Sequence, residues 1–246
     1  MRAFNEIILE IKGVTKRFKG LTALKGLSFT IFRNETVGFI GPNGSGKTTL
    51  FNVINGIFPP DEGSILFKGE DISFDVPHMI CRKGIGRTFQ IAKPFTNMTV
   101  LSNVTIGALN RSKNIKAARE RAENILRMVD LEDKASMLGR DLPIVFRRQL
   151  ELARALATGP ELLLLDEVMA GLNPTEITNI TSLLKKIAKT GLTILVIEHL
   201  MHAIMNISDR IVVIHSGQLV AEGFPHEIMK NPKVIDAYLG EEYSFA

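Results

Sequence analysis

The chain has 246 residues, 45% hydrophobic and 23% charged, a globular composition that excludes disorder, collagen-like repeats and coiled-coil rods. Its 30 Lys and Arg against 26 Asp and Glu leave a net charge of +4, too small an excess to imply nucleic acid. A single cysteine, Cys81, excludes an internal disulfide framework; it reads as a small apolar filler in a reducing compartment.

The N-terminal MRAFNEIILEIKG has too short an apolar run for a signal peptide, and no stretch supplies the roughly 18 consecutive apolar residues of a membrane-spanning helix. The chain is therefore expected to stay inside the cell, with any membrane role passing through a partner. Residues 6–75 read as strands with one helix: IILEIKGVTKRF, LKGLSFTIF and ETVGFIG, a helix from Gly46, then SILFKGEDI, punctuated by the turns PPDEG and KGED. Residues from about 94 to 158 read mostly helical. Within them, KAARERAENILRMVDL sets Ala118, Ala122, Ile125, Leu126 and Val129 on one face. From 159 the alternation returns as LLLLD, a helix after Pro174, LTILVIEH, a helix through Leu200–Ile207, RIVVIHSG and QLVAEG. The continuous apolar runs LLLLD and TILVI suit strands covered on both faces, which predicts an α/β fold with a parallel sheet and a helical insertion.

The loop Gly41-Pro42-Asn43-Gly44-Ser45-Gly46-Lys47-Thr48-Thr49 lies between a predicted strand and a predicted helix and matches G-x-x-x-x-G-K-[ST]. Glycines at 41, 44 and 46 let main-chain N–H groups turn inward around a phosphate, and the helix N-terminus points its positive end at the same anion. Lys47 is expected on the β- and γ-phosphates and Thr48 on Mg²⁺. The strand Leu162–Leu165 ends in Asp166 and Glu167, which delivers two carboxylates to the carboxyl edge of the sheet. Asp166 is expected to hold Mg²⁺, directly or through water, and Glu167 to act as general base on the attacking water.

From Glu6 to Ala246 the sequence resembles the ATP-binding cassette ATPases. The resemblance implies a single P-loop nucleotide-binding domain with a RecA-like mixed sheet core, an antiparallel β subdomain and a helical insertion. Residues 1–93 and 159–246 would form the core and about 94–158 the insertion. It implies ATP and Mg²⁺ as ligands, Phe18 of TKRFKG as the platform for adenine, and Gln90 of RTFQ as the residue that senses the γ-phosphate and metal. His199 of VIEH takes the place of the switch histidine, and Ala170–Asn173 that of the loop crossing the dimer interface. Phrases such as GIGRTFQIAKPFTNMTVLSNV, LLLLDEVMAGLNPTE and NPKVIDAYLGEE resemble more finely the first of the two ATPases in branched-chain amino acid importers.

One landmark departs. Where the family carries LSGGQ, this chain has Leu142-Pro143-Ile144-Val145-Phe146. Pro143 lacks both hydroxyl and N–H, Ile144 and Val145 put branched side chains where main chain should approach phosphate, and Phe146 replaces an amide. A homodimer would carry this change at both composite sites, so a heterodimer with a second cassette of intact signature is favoured. Asn173, where many cassettes carry Asp, and Val168, where Pro is common, are lesser departures. The resemblance implies integral membrane permease subunits as partners, an extracytoplasmic solute-binding protein indirectly, and a place at the cytoplasmic face of the membrane. A non-transport cassette and a regulatory nucleotide-binding module with weak hydrolysis are the alternatives.

Overall fold

A computed structural model describes residues 6–89 and 93–242. They divide into two compact units, one reaching Ile80 and resuming at Thr193, the other Cys81–Leu192.

The first unit opens with β1 (Ile7–Phe18) and β2 (Leu21–Phe32), an antiparallel pair closed where Phe18 faces Leu21. Lys19 and Gly20 both take positive φ at that turn, the geometry that suits a two-residue hairpin loop. After β3 (Thr36–Ile40) and α1 (Lys47–Ile54) come β4 (Glu62–Phe67) and β5 (Glu70–Asp71), which complete an antiparallel sheet of order β2-β1-β4-β5. The chain then enters α2 (Pro77–Lys83).

In the second unit β6 (Ile85–Arg87) lies parallel to β7 (Leu162–Asp166), and between them the chain forms α3 (Val100–Ala108), α4 (Ile115–Met128) and α5 (Ile144–Ala157). The predicted stripe of α4 is its buried face: Ala118, Ala122, Ile125 and Leu126 all turn inward, as does Val129 just past its end. Thr99 and Asn114 cap α3 and α4 by accepting hydrogen bonds from the N–H groups of Ser102 and Ala117, which fixes where each helix begins. Gly107 lets α3 approach α5 closely, since a Cβ there would stand 2.7 Å from the Arg154 carbonyl oxygen. The buried Asn103 side chain accepts from Phe95 N–H and donates to the carbonyls of Phe95, Met98 and Thr99, so it stands in for regular structure in that segment. The unit ends with α6 (Pro174–Ala188).

The return to the first unit supplies β8 (Thr193–Ile197), α7 (Met201–Ile207), β9 (Arg210–His215), β10 (Gln218–Gly223), α8 (Pro225–Ile228) and α9 (Pro232–Glu242). β8 and β9 flank β3 in parallel register and β10 runs antiparallel on β9. Every residue of β3, β7 and β8 is buried, which is why their sequences read as unbroken apolar runs rather than as alternation.

The amino end of β3 is pinned by charge. Arg210 donates from Nε and Nη2 to the two oxygens of the buried Glu35 at 2.7 and 2.9 Å, donates to the Thr30 carbonyl, and pairs with Glu222. Burial opposes the Arg210 charge, but the hydrogen bonds and charges of Glu35 and Glu222 outweigh it and raise its pKa. No helix among the described residues is long and apolar enough to cross a membrane.

Candidate nucleotide-binding site

The predicted phosphate loop joins β3 to α1, so it springs from the carboxyl edge of parallel strands. Gly44 and Gly46 take φ of 76° and 106°, in the left-handed region that favours glycine, and Gly46 stands at the N-cap of α1 with no side-chain cap. Gly41 is glycine for a different reason. A Cβ there would lie 2.2 Å from the Ile214 carbonyl oxygen and 2.6 Å from Ser45 Oγ. A Cβ on Gly46 would meet the Ala23 carbonyl at 2.5 Å, whereas one on Gly44 would meet nothing within 4 Å. The outer rim of the loop is therefore open and its inner wall is tight. Pro42 and Ser45 are buried; Asn43, Gly44 and Thr48 are exposed, and Thr49 is half-buried.

Lys47 is buried, and its ammonium donates to the Gly41 and Pro42 carbonyls at 2.6 and 2.8 Å. These bonds hold a cation on the loop itself and preset it near any anion the main-chain N–H groups would bind. The loop is also braced from behind, which the sequence reading missed. Gly217 N–H donates to the Ser45 carbonyl at 2.9 Å while its own carbonyl accepts from Lys25 N–H at 2.9 Å. Gly217 has φ of 81° and so little clearance that a Cβ would lie 2.6 Å from the Ala23 carbonyl oxygen. The turn signal S-G between two strand-like runs was the available hint.

Phe18 ends β1 with 36% of its surface exposed, and its ring meets Phe58 edge-to-face with centroids 5.3 Å apart. Beneath it the Lys16 ammonium lies 5.6 Å from the Phe18 centroid, anchored to the Pro59 carbonyl and to Asp61. Asp61 also accepts Arg17 N–H; that bond first, then the Lys16 hydrogen bond, lowers the Asp61 pKa below the usual carboxylate range. The arrangement supports the Phe18 ring through Phe58 and Lys16 while leaving part of its surface exposed. Phe58 was missed because nothing in the phrase GIFPP marks it.

The carboxylate pair belongs to the second unit. Asp166 is the buried last residue of β7; its main-chain N–H donates to Thr88 Oγ1 at 3.1 Å and its Oδ2 accepts from Arg87 Nη2 at 2.8 Å. Glu167, half-buried, follows at φ of 51°, a left-handed conformation that few non-glycine residues adopt and that costs of order 1–3 kcal/mol. The sharp reversal sends the chain away from the strand directly after the carboxylate. Asn173 then caps α6: its side chain accepts Glu176 N–H at 3.0 Å, and Glu176 accepts Asn173 N–H at 2.9 Å. Asn serves that role as well as Asp would, so this departure leaves the local geometry intact.

His199 is exposed two residues beyond β8, and Gly41 follows β3 in parallel register with β8, so both leave the same edge of the first unit's sheet. Gln90 lies outside the described residues. In place of LSGGQ, Leu142 is buried, Pro143 is the N-cap of α5 without a side-chain cap, and Ile144 opens the helix 58% exposed. Arg147 folds back to donate to the Leu142 and Arg140 carbonyls, and the Lys134 ammonium sits 4.3 Å from the centroid of Phe146. Arg148 reaches the Ala170 carbonyl at 3.4 Å, tying α5 to the loop after Glu167.

A glycine-lined loop bearing a buried lysine, opening a helix after a parallel strand, is a P-loop, and the α/β elements around it are those of a nucleotide-binding cassette. Residues 24–170 match the ABC transporter family, and residues 218–244 match the branched-chain amino acid ATP-binding cassette transporter family. The chain belongs to the ABC transporter family and is an ATPase, a P-loop cassette with a mixed sheet. It is 40% identical to BraF, a high-affinity branched-chain amino acid transport ATP-binding protein of Pseudomonas aeruginosa, over 95% of this chain and 98% of that one. LivG of Escherichia coli, of the same description, is 37% identical over 95% and 98%. LptB of Haemophilus influenzae, from a lipopolysaccharide export system, is 32% identical over 96% and 98%. Among solved structures, the ADP conformation of the cassette MJ1267 superposes with a TM-score of 0.87 at 32% identity, covering 96% of this chain and all of that one. The cassette MJ0796, solved as a dimer bound to ADP and Pi, gives 0.79 at 27% identity over 89% and 99%.

Proposed function

We propose that this chain is the ATP-hydrolysing subunit of an importer for branched-chain or related amino acids, working at the cytoplasmic face of the membrane through separate permease subunits. The observation that carries this reading is the match of residues 218–244, outside the nucleotide motifs, to the branched-chain cassette family. Gly41–Thr49 binds the phosphates of ATP, Lys47 faces the β- and γ-phosphates, and Phe18 takes the adenine. Thr48, Asp166 and Gln90 would hold Mg²⁺, which supplies positive charge to the phosphate oxygens. Those residue types suit a hard, oxygen-seeking cation. Glu167 accepts a proton from the attacking water while the bond from the γ-phosphorus to the bridging oxygen breaks, leaving ADP and phosphate. His199 contacts the γ-phosphate side. The helical region about 94–158, an insertion in the 1–93 and 159–246 core, carries closure of the cassette pair to the permeases.

The pair itself is proposed to be a heterodimer. The exposed Ile144 and the Pro143 cap give α5 a bulky, hydroxyl-free N-terminus. This chain's Lys47 and Glu167 then pair with an intact signature on the partner, and the reverse composite site turns over slowly.

The test is purification from membranes followed by uptake of leucine, isoleucine and valine in a strain lacking the chain. Permease subunits co-purifying, with uptake restored by the wild-type chain but not by K47A, support the reading. Nucleic acid or ribosomes co-purifying, a lone chain with negligible ATPase, or uptake restored for a different solute class would refute it. Asymmetry is checked by placing Glu→Gln at residue 167 and then at the matching glutamate of the second cassette. Equal loss of turnover from either change would sink it.

A further inference from the structure

Arg87 and Asp166 form an ion pair whose side chains are 5% and 3% exposed, with Nη2 and Oδ2 2.8 Å apart. It is fixed by more than its own contact. Arg87 faces Leu164 across the β6–β7 pair, Thr88 N–H donates to the Leu164 carbonyl at 2.9 Å, and Thr88 Oγ1 accepts Asp166 N–H. Arg87 at the end of β6 and Thr88 directly after it therefore hold both the side chain and the main chain of the last residue of β7. The Arg87 guanidinium also lies 5.2 Å from the centroid of Phe89, which is itself half exposed. A carboxylate this deeply buried is costly unless a positive charge neutralises it. A guanidinium is permanently charged and grips with a planar fork, so it supplies that neutralisation in a fixed orientation. A divalent cation at the same carboxylate would do the same work, and two positive charges on one carboxylate repel each other.

We propose that Arg87 is a positioning residue that stands in for Mg²⁺: it supplies the counter-charge to Asp166 and sets its orientation while no metal is bound, and gives up part of that carboxylate when Mg²⁺ arrives with nucleotide. The proposal rests on the reading of Asp166 as a metal-holding residue. It makes the segment Arg87–Phe89 responsive to the metal, because the same guanidinium tethers that segment to β7.

Thermal unfolding of the full chain tests it, in three conditions: without nucleotide, with ATP and EDTA, and with ATP and Mg²⁺. A Mg²⁺ titration at fixed ATP completes the set, using R87M, R87K and D166N. R87M is expected to unfold well below wild type in the first two conditions, with most of the gap closed by ATP and Mg²⁺. Its half-saturating Mg²⁺ concentration should fall several-fold, because the competing cation is gone. R87K, which keeps the charge but loses the fork, should show a smaller shift in the same direction; if R87M does not fold, this shift alone decides. A gap of equal size in all three conditions, or an unchanged Mg²⁺ half-point in both variants, overturns the proposal and leaves an ordinary structural ion pair. D166N separates the two readings. A wild-type Mg²⁺ response in D166N overturns Asp166 as a metal residue and the proposal with it, whereas a lost response beside an unshifted R87K overturns the role of Arg87 alone.

Discussion

Glu167 occupies a conformation that a β-strand ending would not choose for a carboxylate, with φ of 51°, and strain of this kind persists where the surrounding structure over-determines it. Its neighbours Val168 and Met169 are buried, which anchors the turn, so the side chain can change without moving the main chain. E167Q should therefore leave folding and ATP binding intact and reduce phosphate release by about 10²- to 10⁴-fold, the usual weight of a general base. Equilibrium binding of a fluorescent ATP analogue beside a phosphate-release assay checks both halves; unaltered release would remove Glu167 from the chemistry. The aromatic platform gives a second residue-level expectation. Stacking a base on an aromatic ring contributes about 1–3 kcal/mol, and Phe18 is held edge-on by Phe58. F18A and F58A should each weaken ATP binding, F58A less, and the double variant should lose less than the two added together, because Phe58 acts only through the position of Phe18. Binding isotherms for all three, with GTP as a comparison, measure this; strict additivity would mean that Phe58 touches the base itself.

Between elements, the phosphate loop depends on a turn more than 150 residues away in the chain. Gly217, in the turn between β9 and β10, donates to the Ser45 carbonyl and leaves no room for a Cβ against Ala23. G217V should push that turn off β2 and the loop, weakening ATP binding by at least ten-fold while touching no nucleotide; retained affinity would show that the loop holds its shape alone. Acid should act on the same unit through Asp61. Its lowered folded-state pKa means that it stabilises the fold above the ordinary carboxylate range, about 3.9, and that this contribution is lost as pH falls through the lowered value. In D61N that part of the acid-side fall in melting temperature should be missing. The sequence announced some of these elements and not others. β3, β7 and β8 were legible because full burial leaves an apolar run, and the loop Gly41–Thr49 because each of its residues answers a local demand for backbone approach or charge. Arg87, Thr88, Phe58 and Gly217 were not, because each acts through a partner distant in sequence: Arg87 ends the three-residue β6, too short for periodicity, and Thr88, Phe58 and Gly217 lie outside the strands and helices. Asn173 was read as a departure although its capping of α6 satisfies the ordinary rule for a helix start.

For the whole molecule, the question is whether two copies of this chain can close on ATP. The N-terminus of α5 still offers its unpaired first-turn N–H donors and positive dipole, since Pro143 caps it without a side-chain acceptor. What it lacks is a hydroxyl and clearance: in the proposed pairing the exposed Ile144 would stand where another subunit's phosphate has to approach main chain. Two such faces in a homodimer would obstruct both sites, whereas a partner with an intact signature would leave one site whole. The isolated E167Q chain, unable to turn ATP over, should therefore remain monomeric with ATP. The same chain carrying P143S, I144G, V145G and F146Q should dimerise, despite losing up to about 1 kcal/mol of helix stability at each new glycine. Loss of Phe146 also removes its contact with Lys134, so a small fall in melting temperature should accompany the gain in association. Sedimentation velocity with and without ATP separates the cases. Dimerisation of the unrestored chain to the same extent would show that Pro143–Phe146 accommodates phosphate as it stands, and the argument for an unlike partner would fall with it.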